Sequence, residues 1–360
     1  MALLLVALTL GVAFANGAND VSKGVATLVG AGIAGERQAI LWGTVWTMLG
    51  VAAAMVVSRG LVATFSGHGI LTAPPPGFVL PGAVAAGVIG WLVFATRAAL
   101  PVSTTHALVG AILGAGVVAV GSSGVIWSGL LAKVALPLLL SPILSFAVVF
   151  VLLPATNSAF RRLGRYCLCL EQRELVMAVP GIGDIGAGRR EMRLVAATDC
   201  PPRVLTRVNA LDSVHWLSAG LTSFARGLND SPKILALGFV AGTGLGLDAN
   251  SLLVMVALAM GAGSWFAGRR VTETLATKVT PMSGPEALTA NAATSLLVGL
   301  ASALGSPVST THVSSGAVIA VGMHRREVGW KLVREMLLAW LVTVPVAAVL
   351  AGAVYAVIAG

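Results

Sequence analysis

PVSTTH, residues Pro101 to His106, occurs a second time letter for letter at Pro307 to His312. Both copies interrupt apolar sequence, where three successive hydroxyl side chains are unusual. Each comes after an Asn-Asp pair that is equally out of place: Asn19-Asp20 before the first copy, Asn229-Asp230 before the second. Two polar signatures, each present twice and in the same order, mark two related halves that build one polar site.

The repeat extends outward from these motifs. Asn19 and Asn229, Asp20 and Asp230, and Lys23 and Lys233 each stand 210 residues apart. The separation is 206 for Pro101 and Pro307 and for His106 and His312, and 203 for Trp127 and Trp330 and for Pro142 and Pro345. The order holds while the loops change length slightly.

Composition supplies the solvent. Of the 360 residues 57% are hydrophobic and only 10% charged, against about 25% charged in an ordinary soluble domain. Such a chain is an all-α polytopic membrane protein, and its 43 glycines suit helices that pack closely or break in lipid. The net charge of +9 does not point to nucleic acid, because the basic residues lie in loops between apolar segments. Cys167, Cys169 and Cys200 are too few for a disulfide framework and lack zinc-site spacing; they read as reduced thiols. The opening MALLLVALTLGVAFANGA looks like a signal peptide but lacks a positive n-region, and cleavage would strand Asn19-Asp20 at a free end. It is expected to stay.

Taken in order, residues 1–153 form the first membrane repeat, with apolar segments at 2–33, 39–57, 81–97, Pro101–Val120 and 127–153. GANDVSKG places glycines on both sides of polar residues, so a bend or break is expected there; Pro137 and Pro142 should bend the fifth segment. Residues 154–209 form a basic linker with nine Lys/Arg against five acids. Its GIGDIG (Gly181 to Gly186) matches GxGxxG formally, but with no expected strand before it or helix after it the stretch reads as a loop. Residues 210–360 repeat the plan, with segments at 210–243, 251–267, 286–304, Pro307–Val321 and 331–358.

Five segments per half is an odd number, which inverts the second repeat relative to the first. Charge tests this independently. If the linker is cytoplasmic, the loops 34–38, 154–209, 268–285 and 323–334 are inside and carry 17 of the 23 Lys and Arg, while the loops 59–80, 121–126 and 244–250 carry only Arg59. The positive-inside rule thus supports inverted repeats with both termini outside a cell membrane.

The buried polar residues suggest the chemistry. A carboxylate at mid-membrane costs at least ~2.5–3.5 kcal/mol on insertion scales, so Asp20 and Asp230 are functional candidates. With Asn19 and Asn229 they offer hard oxygens to Na⁺, or a proton carrier; alternatively each pairs with the lysine at i+3, Lys23 or Lys233. Ser103, Thr104 and Thr105, and Ser309, Thr310 and Thr311, come after a proline that can open a helix. Helix N-termini and hydroxyls together suit a tetrahedral oxyanion, unless the hydroxyls bond their own helix carbonyls. His106 and His312 could relay protons or orient a helix. Arg226 is expected to pair with Asp230 or a carbonyl, and Arg97 and Lys133 to snorkel or pair structurally. No metal cluster and no nucleophile–base arrangement appears, so neither an enzyme nor a resident cofactor is expected.

GANDVSKGVATLVG, FARGLNDSPKILAL and the paired PVSTTH segments together resemble the inorganic phosphate transporter (PiT) family, over roughly 1–153 and 208–360. The resemblance implies a homodimeric inverted-repeat symporter with hairpins that can be re-entrant. It implies phosphate held between the two Ser-Thr-Thr segments and the coupling cation, H⁺ or Na⁺, at Asn19, Asp20, Asn229 and Asp230. One departure stands out: sodium-coupled members commonly read NDVAN, with Asn where this chain has Lys23 and Lys233. An ammonium there could occupy the space of a Na⁺ or touch phosphate, which points to fewer bound Na⁺ or to proton coupling, with the proton favoured. Two alternatives remain, a sulfate permease of the same fold and an anion channel with hydroxyl-lined constrictions. Duplicated, inverted, broken segments fit alternating access better.

Overall fold

The computed structural model describes residues 1–58, 61–62, 65–66, 70–179, 183–196 and 204–360. The first half holds α1 (Ala2–Asp20), α2 (Ser22–Gly30), α3 (Glu36–Val57), α4 (Val79–Arg97), α5 (Thr104–Val120) and α6 (Trp127–Leu163). The second holds α7 (Ala210–Gly244), α8 (Ala249–Ala267), α9 (Arg269–Thr277), α10 (Gly284–Ala303), α11 (Thr310–Arg325) and α12 (Trp330–Ala359). Five spans, Ala2–Gly30, α4, α6, α8 and α12, are long and apolar enough to cross a membrane by length and composition among the described residues. Their outward faces carry exposed aliphatics such as Leu139, Ile143, Leu338 and Leu341, while Asp20, Lys23, Asp230 and Lys233 are buried. A polar interior inside an apolar coat is the arrangement lipid demands. The protein is an all-α membrane protein in its membrane part.

The halves interlock reciprocally. α1 packs on α8 as α7 packs on α3; α5 packs on α12 as α11 packs on α6; α4 packs on α12 as α10 packs on α6. Such an exchange of partners is what a two-fold relation produces. Close backbone approach repeats with it. A Cβ on Gly17 would stand 2.0 Å from Met260 O and one on Gly263 1.9 Å from Phe14 O. At the matching crossing, a Cβ on Gly227 would stand 2.3 Å from Thr47 O and one on Gly50 2.1 Å from Phe224 O. Only glycine fits there, and it lets helix backbones touch.

The expected break in GANDVSKG is a one-residue interruption. Helix α1 stops at Asp20, α2 restarts at Ser22, and Val21 between them keeps right-handed helical angles. The matching stretch of α7 runs through Pro232 without interruption. The sharper discontinuities lie between α4 and α5 and between α10 and α11. Each first helix ends on a left-handed residue, Ala99 (φ 56°) or Gly305 (φ 65°). The last carbonyls are closed by Leu100 N donating to Ala95 O (2.9 Å) and Ser306 N to Ala301 O (2.9 Å), a glycine-type C-cap used twice. In α6 the bending expected at Pro137 takes the form of a π-helical turn at Leu131–Ala135 just before it, a device that accommodates a missing N–H. Helix α6 then continues to Leu163.

The linker differs from its sequence reading. It holds β1 (Tyr166–Val179), β2 (Gly183–Ala196) and β3 (Val204–Asn209) in an antiparallel sheet ordered β2-β1-β3. Register runs from Tyr166 opposite Ala196 to Val179 opposite Gly183, with Cys167 opposite Asn209 on the other edge. A strand therefore does precede GIGDIG, against expectation. The described part of the motif, Gly183 to Gly186, opens strand β2 paired antiparallel with β1, not the helix N-terminus a dinucleotide requires. Gly181 and Ile182 themselves, like Arg59 and Cys200, lie outside the described residues. β3 delivers Asn209 as the N-cap of α7, its Oδ1 accepting from Leu211 N at 2.8 Å.

Candidate functional site

Proline at 101 and 307 keeps the chain extended up to the next serine, and each serine opens a helix. Ser103 and Ser309 are N-caps with extended angles, and each Oγ accepts from the N–H three residues on, His106 N or His312 N, at 3.2 Å. The cap satisfies one first-turn amide; the helix dipole aims the positive end of α5 and of α11 at the same region.

The two hairpin tips meet inside the protein. Thr311 Oγ1 donates to Val102 O at 2.7 Å, and Thr105 Oγ1 donates to Val308 O at 3.3 Å. The His106 and His312 rings lie 4.3 Å apart between centroids. His106 Nδ1 is 2.8 Å from Ser103 Oγ, whereas His312 Nε2 has no partner among the described residues. Trp340 Nε1 donates to Pro101 O (3.2 Å), and its ring lies 3.9 Å from that of His312. Thr310 is buried at the second tip. Irregular backbone this deep is tolerated where it lines a polar site.

The Asn-Asp pairs lie beneath the tips. Thr104 Oγ1 donates to Asp20 Oδ2 at 3.0 Å. Lys23 forms an ion pair with Asp20 Oδ1 and also donates to Asn19 O (2.9 Å), Asn19 Oδ1 (2.8 Å) and, more weakly, Val102 O (3.5 Å). Lys233 pairs with Asp230 Oδ1 at 3.4 Å and donates to Thr105 Oγ1 (2.7 Å) and Val308 O (3.1 Å). Asn19 Nδ2 donates to Thr96 Oγ1 (3.1 Å) and Leu100 O (3.0 Å), and Asn19 Oδ1 accepts from Val102 N (3.2 Å). Asn229 Nδ2 donates to Asp230 Oδ1 (2.9 Å) and Val308 O (3.0 Å). The structure thus gathers Asn19, Asp20, Lys23, Ser103, Thr104, Thr105 and His106 with Asn229, Asp230, Lys233, Ser309, Thr311 and His312.

Two further residues belong here. Asn16 Nδ2 bridges Asp20 Oδ2 (2.8 Å), Thr104 Oγ1 (3.1 Å) and Asp230 Oδ2 (3.2 Å), joining the two carboxylates. Arg226 is buried and donates from Nη2 to Thr47 Oγ1 at 2.7 Å, rather than to Asp230 or to a carbonyl as the sequence suggested. The signal that could have found Asn16 is the offset of 210, which makes it the counterpart of Arg226. Arg97 and Lys133 lie on the exterior, away from this cluster. Three buried cations, Lys23, Lys233 and Arg226, face two carboxylates, so the centre carries a positive surplus. Together with two helix N-termini, that surplus is complementary to an anion.

Comparison with known proteins agrees with this chemistry. Residues 16–351 match the model of the phosphate transporter family. A Thermococcus kodakarensis chain provisionally assigned as a phosphate permease is 31% identical, over 97% of this chain and 95% of its own length. A Rhizobium meliloti chain provisionally assigned as a low-affinity inorganic phosphate transporter is 27% identical over 98% of this chain and 94% of its own. Among solved structures, one described as the sodium-dependent phosphate transporter superposes with a TM-score of 0.77 at 23% identity, covering 99% of this chain and 98% of that one. That likeness shows the fold.

Proposed function

The chain belongs to the phosphate transporter family, a family of transporters rather than enzymes, and on that premise we propose that it moves inorganic phosphate by cation-coupled symport, with the proton as coupling ion. Phosphate sits between the N-termini of α5 and α11, facing Ser103, Thr104, Thr105, Ser309, Thr310 and Thr311. The reading rests above all on the contact of the two hairpin tips through Thr311 to Val102 O and Thr105 to Val308 O. Two helix N-termini converging from opposite halves can wrap one tetrahedral oxyanion.

The coupling site is formed by Asn19, Asp20, Asn229 and Asp230. Lys23 Nζ is surrounded by Asp20 Oδ1, both Asn19 oxygens and Val102 O. Such a set of hard oxygens is what a bare Na⁺ would seek. The ammonium already stands there, and Lys233 stands likewise against Asp230, Thr105 and Val308 O. Tethered cations supply the charge that sodium would bring, which leaves proton exchange on the carboxylates, and relay through His106 and His312, as the coupling step.

Residues 1–153 and 210–360 act as inverted repeats about this site, joined by the linker 154–209 on the cytoplasmic side, with both termini outside and two copies forming a dimer. Alternating access comes from one repeat moving against the other. The reciprocal packing of α1 on α8 and α7 on α3 supports a two-fold relation between the repeats.

Radiolabelled phosphate uptake into proteoliposomes tests the proposal. In Na⁺-free buffer with an inward proton gradient, uptake should proceed, collapse with an uncoupler, and resist a large excess of sulfate. Uptake that begins only when Na⁺ is added would overturn proton coupling; efficient competition by sulfate would overturn phosphate as the preferred anion.

A further inference from the structure

Among the described residues three Lys or Arg side chains are buried, and Arg226 is unlike the other two. Lys23 and Lys233 each have a carboxylate partner. Arg226 is 1% exposed, gives Nη2 to Thr47 Oγ1, and leaves Nε and Nη1 without partners among the described residues. Buried N–H donors of a cation are costly to leave unmatched. They lie at a tight helix crossing: Gly227, the next residue, seats α7 directly on the α3 backbone at Thr47 O.

The matching crossing shows that the fold itself does not need an arginine. Asn16 occupies the equivalent place on α1, and Met260, across the same glycine contact, stands where Thr47 does. Asp20 and Asp230 lie within electrostatic reach of Arg226. Their oxygens, however, are already engaged by Lys23, Asn16 and Thr104 and by Asn16, Asn229 and Lys233. Among the described residues no acceptor bonds Nε or Nη1, and Asn16 Oδ1, the one unpaired side-chain oxygen on the Asp20–Asp230 cluster, does not reach them, so an acceptor that completes the guanidinium would come from outside the chain. Charge identifies it as an anion, since the centre is already one cation in excess.

We propose that Arg226 is a substrate-binding residue whose free Nε–H and Nη1–H groups take phosphate oxygens, with Thr47 as the positioning residue that holds the guanidinium for them. This rests on the phosphate reading above. A planar guanidinium donates two parallel, charge-assisted hydrogen bonds to an oxyanion, which an ammonium at the same place cannot do. Arg226 thus makes the two ends of the anion site unequal: hydroxyls and a helix terminus on both sides, a guanidinium on one.

The test is phosphate uptake into proteoliposomes, read as KM and maximal rate, together with thermal stabilisation of the detergent-purified protein by inorganic phosphate. Arg226→Gln should raise KM about 10- to 100-fold, the scale of losing one or two charge-assisted hydrogen bonds, and abolish the phosphate-induced shift in Tm. Arg226→Lys should recover part of both, and Thr47→Val should raise KM several-fold with maximal rate preserved. If Arg226→Gln does not fold, Arg226→Lys and Thr47→Val carry the same readouts. Unchanged KM and unchanged phosphate stabilisation, the result for an arginine satisfied by water, would overturn the assignment while wild-type uptake left the functional reading intact. A wild-type protein neither transporting nor stabilised by phosphate would overturn both.

Discussion

The two Asn-Asp-x-x-Lys sites share a motif and a fold but not a solution. Lys23 is enclosed mostly by its own segment, Asn19 and Asp20, with Val102 O from its own half as a fourth oxygen. Lys233 holds its aspartate at 3.4 Å and reaches across to Thr105 of the other half. The first site is closed on itself; the second is a bridge. The motif occurs twice with equal letters, and if one anion is shared between the two sites, as proposed, only one needs to stay in place while the other changes partners. The extra arginine falls in the half whose lysine bridges.

The sharpest way to break this comparison is to remove the carboxylates one at a time. Asp20→Ala leaves Lys23 buried with uncharged oxygens only and should destabilise the protein by roughly 3–5 kcal/mol, the cost of an uncompensated buried charge. Asp230→Ala should cost less, because the longer ion pair is backed by Thr105 Oγ1 and Val308 O. Thermal unfolding of the purified variants ranks them, and both should lose uptake. Equal losses of stability would mean that the closed and bridging sites are energetically the same.

Next in size are the helix crossings, where the halves are expected to behave alike. Gly17→Ala drives a Cβ to 2.0 Å from Met260 O and Gly227→Ala to 2.3 Å from Thr47 O. Neither backbone can yield cheaply, so each should cost about 1–3 kcal/mol as overpacking. A large gap between the two, seen in unfolding midpoints, would show that one crossing is already loose and is the one that moves.

These symmetric features were legible in the sequence for a physical reason. Apolar runs of membrane length and a serine after proline are local signals, so α3, α8, α10 and α12 begin and end within about three residues of the segments read from the chain. What escaped was non-local or unlettered. Val102 and Val308 contribute through carbonyls, which no side-chain motif reveals. Arg226 stands out in the sequence as a cation in an apolar segment, but Asn16 at the matched position differs from it in type, so a search for identical residues passes over Asn16. Helix α9 is short and carries Arg269, Arg270 and Glu273, and so reads as loop. The linker strands lie in a stretch with nine Lys and Arg and, among the described residues, pair only with one another, an arrangement that no apolar run of membrane length announces.

The caps test whether matching geometry means matching energy. Ser103 and Ser309 accept from the same backbone position at the same 3.2 Å, so either change to Ala should cost about 1 kcal/mol of stability. Ser103 has one contact more, with His106 Nδ1 at 2.8 Å. Ser103→Ala should therefore exceed Ser309→Ala by a few tenths of a kcal/mol. The reverse order in unfolding midpoints would locate the stronger cap at the second tip.

The smallest expected difference lies at the turns that lead into those tips. Ala99 and Gly305 take the same left-handed conformation, φ 56° and 65°, and close the same backbone ring. A Cβ in this region costs roughly 1–2 kcal/mol through its approach to the next carbonyl. Glycine escapes that cost but gives back about 0.4–1 kcal/mol through the freedom it adds to the unfolded chain. The balance predicts that Gly305→Ala destabilises by about 0.5–1 kcal/mol and that Ala99→Gly stabilises by a similar amount, shifting Tm in opposite directions. Should Ala99→Gly lower Tm instead, the alanine methyl must make contacts worth more than its strain. The first hairpin would then be the better packed of the two, as expected of the half whose lysine stays closed.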